Sequence, residues 1–440
     1  MIEGIRNKIS EVNYSGLTFL LFSTYLAVIG DGNSFFPSLK IYGFSTLFIS
    51  LVCLASFCLL NIKNSSQAKS LQGASFIAIV IVTNIVCLFR YHVAMPFLAI
   101  FIVASLCTIV CSRSGKLEYL FSLVLLLGLL ERLWFIYSNP FGSTSDMLPL
   151  VNEAIKSLLS GENPYRKHII HLPSATYPMD LTYMPFLWMS YIPAYLAKID
   201  LRWTNIVGDI ITAIAIYKTF PTRDQTISLW KSAFIAVWLC NPYFASRIDS
   251  EIAIFNTITA LTVLAIASKR HIVSGILAGL MISTCQLSLV ILPFFLLWSI
   301  ENFGLKKLIA AVTLAICIAG AVIMLFYNDM LVNSIFNHWT MLYLMDVNWA
   351  RNSIANFNYS VFAYYFMKQN YLVYLQVLIS AGIFTLFIAI KGYKNISRTL
   401  NFAAFALLFF LQFNMIVWTY LFLPSLSLWS GALAAKATHV

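Results

Sequence analysis

The chain has 440 residues, of which 60% are hydrophobic and only 10% charged, with a net charge of +11 and a mean hydropathy of +0.82. Soluble domains carry roughly 25% charged residues and need a polar exterior. Composition therefore excludes a soluble globular enzyme, a disordered chain and a small disulfide-built module, and leaves a polytopic all-α membrane protein. The apolar runs are continuous rather than alternating, which argues against a transmembrane β-barrel.

The basic residues stand singly or in pairs between apolar runs, as at Lys269-Arg270 and Lys306-Lys307. That is the pattern of orienting cytoplasmic loop charges, and no nucleic-acid partner is expected. The eight cysteines all fall inside apolar segments without a CxxC spacing, so neither a disulfide framework nor a zinc site is expected. Arg6 and Lys8 precede the first apolar run, which has no clean cleavage site after it and reads as a retained helix.

Candidate spans lie at about 16–31, 42–62, 73–89, 94–111 and 117–137, before a polar stretch at 138–182. Further apolar runs follow at about 183–197, 203–218, 229–246, 251–267, 272–300 and 305–327. A second polar stretch covers 328–368, and the chain ends with runs at 370–390 and 399–434. The expected division is 1–116 as N-terminal helices, 117–327 as a core holding the first loop, 328–368 as a second loop and 369–440 as C-terminal helices, with about 12–14 spans in all.

Loop charges at Lys63, Lys69, Arg113, Lys116, Lys269, Arg270, Lys306, Lys307, Lys391, Lys394 and Arg398 read as cytoplasmic, which puts both long polar loops on the opposite face. Parity then requires that the proline-bearing 183–197 run does not cross. It also requires that 272–300, flanked by cytoplasmic charges at both ends, is two half-spans meeting near Ser283–Ser288. Broken backbone at membrane depth needs cover by protein or a wet cavity, which makes Gln286 a candidate cavity residue.

In the first loop, apolar side chains at 147, 148, 151, 154, 155, 158 and 159 predict an amphipathic helix, with Pro149 in its first turn, Gly161 at its stop and Pro164 beyond. Such a helix beside a membrane lies flat on the surface. Asp146 stands at its amino end. It reads either as a helix cap or as a carboxylate beside the bilayer able to take the proton of an attacking hydroxyl.

The run Tyr165-Arg166-Lys167-His168-Ile169-Ile170-His171 is cationic and suits a lipid phosphate, or else an ordinary interfacial belt. His168 and His171 are three apart, as in a helical metal pair, but no third ligand is evident. Arg247, Asp249 and Glu251 cluster after Asn241-Pro242-Tyr243 on the same face as Asp146. The second loop offers His338, Asp346, Arg351, Asn352, Asn356 and Asn358 between aromatic residues, a composition suited to sugar or else to a solvated loop packed on the membrane.

In this order the segments resemble the GT-C glycosyltransferases, most of all the polyprenyl-phosphate-mannose-type mannosyltransferases. The likeness covers about residues 130 to 425. It rests on Arg132, Asp146 and the helix ending in Gly161-Glu162-Asn163-Pro164-Tyr165, with Tyr177-Pro178 and Tyr183-Met184-Pro185 downstream. Asn241-Pro242-Tyr243, Asp249, the Ser274–Leu280 and Gln286–Pro293 segments, and Arg351-Asn352 with Asn358-Tyr359-Ser360 complete it. Two departures stand out. About five spans precede the first loop, where family members typically have one, and Cys285-Gln286 stands where members often carry Lys-Gln.

The resemblance implies an outward-facing site in a bacterial or archaeal cytoplasmic membrane. There a sugar, mannose in the nearest branch, passes from a polyprenyl-phosphate donor to a hydroxyl on a glycan, lipid or protein acceptor. Asp146 is the implied catalytic base. Arg166, Lys167, Arg247 and Arg351 are candidates for the donor phosphate, and Asn163, Tyr165, His168, Asp249, Glu251, Gln286 and Asn352 for the substrate. No metal ligand set is assigned; a divalent cation held by Asp249 or Glu251 is the alternative source of positive charge. Two other readings remain open: a surface-polysaccharide polymerase or ligase using a lipid-linked oligosaccharide, and a lipid-carrier flippase or transporter, which would carry functional charges within its spans.

Overall fold

The computed structural model describes residues 118–143, 145–173, 176–219, 231–232, 235, 238–239, 245–337, 370–412, 421 and 423–438. The four candidate spans before residue 112, the 241–243 segment, Arg351 and Asn352 lie outside the described residues.

The described residues are mostly helical. Helix α1 is Glu118–Ser138 and α2 is Met147–Leu159, followed by a hairpin of β1 (His168–His171) and β2 (Thr176–Met179). Two short helices, α3 (Pro185–Met189) and α4 (Ile192–Leu196), lead into α5 (Arg202–Lys218). A 3-10 turn at Ser246–Asp249 opens α6 (Ile252–Ala267), α7 (His271–Thr284), α8 (Ser288–Phe303) and α9 (Leu305–Met324). After the short α10 (Asp329–Val332) come α11 (Asn370–Ala389), α12 (Ile396–Gln412) and α13 (Leu423–Thr438).

Among the described residues, two helices, α1 and α9, are long and apolar enough to cross a membrane. The 21 residues of α1, at about 1.5 Å each, match a hydrocarbon core about 30 Å thick. The apolar run read at 399–434 is two helices, α12 and α13, packed along each other. The 183–197 run breaks into α3 and α4, each five residues long with a proline in its first turn.

The 272–300 run is broken where the loop charges require. Helix α7 ends at Thr284, Cys285 is extended, and α8 restarts at Ser288. Direction is readable from small residues. A side chain on Gly275 would meet the Ala311 backbone, and one on Gly279 the Ala315 carbonyl and Ile318. The pairing climbs both helices in the same sense, so α7 and α9 run parallel and in direct contact, and α8, which joins them in the chain, runs back the other way. Close small-residue contact of this kind replaces side-chain burial as the glue between apolar helices.

Helix α2 spans the stretch its apolar spacing predicts, burying Leu148, Leu150, Val151, Ala154 and Ile155. It stops because Gly161 takes φ +76°, and the Gly161 and Glu162 amides then bond back to Leu158 and Ser157. Strand β1 packs on α2. In the hairpin Ile170 opposes Tyr177 and His168 opposes Met179; directly paired residues share a face, so Tyr177 stands beside the buried Ile170, on the side turned to α2.

Candidate active site

Asp146 sits immediately before α2 but does not cap it. Its backbone is helical (φ −87°, ψ −8°), whereas a capping residue is extended. Ser145 Oγ accepts the Met147 amide instead, at 3.2 Å. The Asp146 carboxylate turns across to the hairpin and accepts the Tyr177 hydroxyl at 2.6 Å. Burial, together with this bond to Asp146 and its charge, raises the Tyr177 phenol above its ordinary range, so it remains a donor.

A buried polar network fixes the entry to α6. Arg202, 2% exposed, grips Asp200 with contacts of 2.6–3.0 Å, donates to the Asn139 carbonyl at 2.9 Å and stands 3.5 Å from Asp249. Asn205 is fully buried. Its amide donates to the Ile248 and Ser250 carbonyls at 2.6 and 2.8 Å, and its oxygen accepts the Tyr191 hydroxyl at 2.6 Å. The 3-10 turn carrying Arg247 and Asp249 is therefore pinned from one face of α5.

Two carboxyls in this network are pushed upward. Asp249 rises from 3.8 to about 6 through burial, partly offset by Arg202 and Arg247. Glu251, the residue before the first turn of α6, rises from 4.5 to about 7, chiefly through burial, with the charge of Asp146 adding to it. Glu251 is 5% exposed, and its Oε2 has no hydrogen-bond partner among the described residues. Its charge also reaches Cys285, at the break between α7 and α8. Gln286, half-buried, follows Cys285 in that break.

The predicted residues divide accordingly. Asp146 acts through its charge on Glu251, Asp249 is held by Arg202 and feels the charge of Arg247, and Gln286 lies in the α7–α8 break. Three residues read as substrate contacts are instead occupied within the loop. The Asn163 side chain accepts the Tyr165 amide at 2.8 Å. The buried Tyr165 hydroxyl donates to the Tyr183 carbonyl and accepts the Trp188 indole N–H. His168 is buried with Nε2 at 2.7 Å from the Pro164 carbonyl. The cationic strip does not act as a unit, because a strand sends His168 inward and His171 outward, and this also separates the histidine pair. Arg166 is exposed and paired with Glu162 at 2.6 Å, while Lys167 is exposed.

Among the described residues, no three His, Cys, Asp or Glu side chains converge as a metal site. A magnesium ion held jointly with a substrate phosphate takes only one or two carboxylates.

The network residues Arg202, Asn205 and Asp209 carried a signal in the sequence. With Thr212 they recur at spacings of three and four along an otherwise apolar helix, and all four are buried. A polar stripe at helical spacing marks a satisfied interior face as surely as an apolar one marks a core. Asp209 belongs to a second ion pair, with Arg132 of α1 at 2.8 Å. Arg132 also donates to the Gly128 and Leu239 carbonyls at 3.0 and 2.6 Å.

Compared with protein-family models and with curated proteins, the chain matches none.

Proposed function

We propose that the protein is an integral-membrane glycosyltransferase. In this reading it transfers a sugar from a polyprenyl-phosphate donor to an acceptor hydroxyl on the non-cytoplasmic face, with Asp146 as general base. The observation that carries the reading is the Tyr177–Asp146 hydrogen bond. It holds off the helix end a carboxylate that would otherwise be spent on capping, and keeps it beside an amphipathic helix.

The chemistry asks little else. An Asp146 oxygen takes the acceptor proton as the hydroxyl oxygen bonds to the anomeric carbon. The bond from that carbon to the phosphate oxygen breaks, and polyprenyl phosphate departs with the electron pair, inverting the configuration. A lipid phosphate is a good leaving group, so no strong general acid is needed. A cation near its oxygens lowers the barrier through charge-assisted hydrogen bonds, and Arg247 is the candidate nearest the carboxyl cluster. The test is transfer from a synthetic polyprenyl-phosphate sugar by the purified protein in detergent. A polymerase or ligase would instead need a lipid-linked oligosaccharide.

The Arg132–Asp209 pair inside the helices favours a second reading, a lipid-carrier transporter, because buried charges within spans often mark transport pathways. Against it, Arg132 is tied at once to Asp209 and to two carbonyls, a rigid brace rather than a moving relay. Carriage of a labelled lipid-linked sugar across liposomes, with no transfer, would support the transporter.

A further inference from the structure

A second feature lies among the helices that follow the 3-10 turn. Helices α6, α7, α8 and α9 enclose a cavity of about 320 Å³ lined by, among others, Ile266, Ala278, Pro293, Leu296, Phe303 and Val312. That volume lies at the lower end of small-molecule sites, about 300–1,000 Å³. The walls are apolar. Thr262 and Ser274, two of the few polar lining residues, donate their hydroxyls to the Ile258 and Arg270 carbonyls. Leu289, Leu296, Val312 and Ile316 at the rim are exposed.

The lining begins within one turn of four cations. Ile266 and Ser274 stand four residues either side of Arg270, and Phe303 and Leu308 flank Lys306 and Lys307. Because α7 and α9 run parallel with Gly275 against Ala311, both basic pairs lie at the same end of the cavity. Lys269, Arg270, Lys306 and Lys307 are all exposed. None forms an ion pair with a described residue, and the exposed Glu301 of α8 is not paired with them.

We infer that this is a binding site for an anionic phospholipid of the cytoplasmic leaflet, with one acyl chain in the cavity and the phosphate held by Arg270, Lys306 and Lys307. An apolar slot opening beside unpaired cations complements an amphiphile carrying negative charge at its head. The inference rests on the membrane orientation read from the loop charges and is independent of sugar transfer. A protein inactive in transfer that still binds the lipid would separate the two.

The experiment uses the full-length protein in mild detergent, with native mass spectrometry and thermal unfolding in added phosphatidylglycerol or phosphatidylcholine of identical chains. The wild type should retain one phosphatidylglycerol in about tenfold preference and melt higher in its presence, since a ligand bound only to the folded state stabilises it. Ala278→Trp fills the cavity and should abolish both effects. The paired surface changes Lys306→Gln and Lys307→Gln should keep lipid retention but lose the preference, and they keep the idea testable if Ala278→Trp does not fold. Equal retention of the two lipids by the wild type, no retention at all, wild-type preference in the lysine variant, or wild-type retention by folded Ala278→Trp would each overturn it.

Discussion

The Tyr177 hydroxyl donates to the Asp146 carboxylate at 2.6 Å across 31 residues of chain. The bond joins the hairpin to the start of α2, so the candidate base is positioned by an element that packs on the same helix.

Tyr177→Phe removes that donor and leaves the carboxylate to turn toward the α2 amides. A hydrogen bond to a charged group is worth about 1.5–3 kcal/mol. Turnover in the transfer assay should fall about tenfold or more, with KM and helix content unchanged; wild-type turnover would mean that the bond has no part in catalysis.

Glu251 should set a pH dependence of stability. Its folded value of about 7 exceeds its ordinary 4.5, so between those values the folded state binds more protons than the unfolded one. Stability therefore falls as pH rises from about 4.5 to 7 and levels off above. The full shift corresponds to at most about 3 kcal/mol. Thermal unfolding at pH 5 and pH 8 should show a drop in the wild type that is smaller in Glu251→Gln. An equal drop in both would remove Glu251 as the cause.

Gly275 and Gly320 should respond in opposite ways. A Cβ on Gly275 would lie 2.5 Å from the Ala311 carbonyl, whereas Gly320 has nothing within 4 Å. Gly275→Val should force α7 off α9 and lower the melting temperature sharply. Gly320→Ala should be neutral or stabilising by up to about 1 kcal/mol, from helix propensity alone.

The Arg132–Asp209 brace discriminates the two functional readings. Breaking it singly with Arg132→Met strands a buried charge, at a cost of about 3–5 kcal/mol, while replacing both partners with apolar residues is often neutral. Arg132→Met with Asp209→Leu should recover stability and most transfer activity. Recovered stability with all activity lost would give the pair a direct role in function.

The helical architecture, the breaking of the proline-bearing 183–197 run and the α7–α8 break were legible because each follows from hydrophobic periodicity, proline placement and loop charge, which are local. Helix α2 was legible for the same reason, down to the stop at Gly161. The partners of Asp146 were not. Whether a helix-end carboxylate caps or turns away depends on Tyr177, which reaches it only once the hairpin has folded onto α2. The partners that Asn163, Tyr165 and His168 find within the loop were not legible either, because composition shows a polar or aromatic group without showing where its hydrogen bonds go. Arg202 and Asn205 were overlooked among apolar neighbours, although their spacing with Asp209 and Thr212 marked a buried face.

The most direct test is transfer from a synthetic polyprenyl-phosphate sugar by the wild type and by Asp146→Asn, which keeps the shape and an acceptor for Tyr177 but removes the base. A positioned general base contributes about 10²–10⁴-fold. The wild type should transfer sugar with inversion, and the variant, folded and equally stable, should lose at least a hundredfold in turnover. Undiminished transfer by Asp146→Asn would contradict the account.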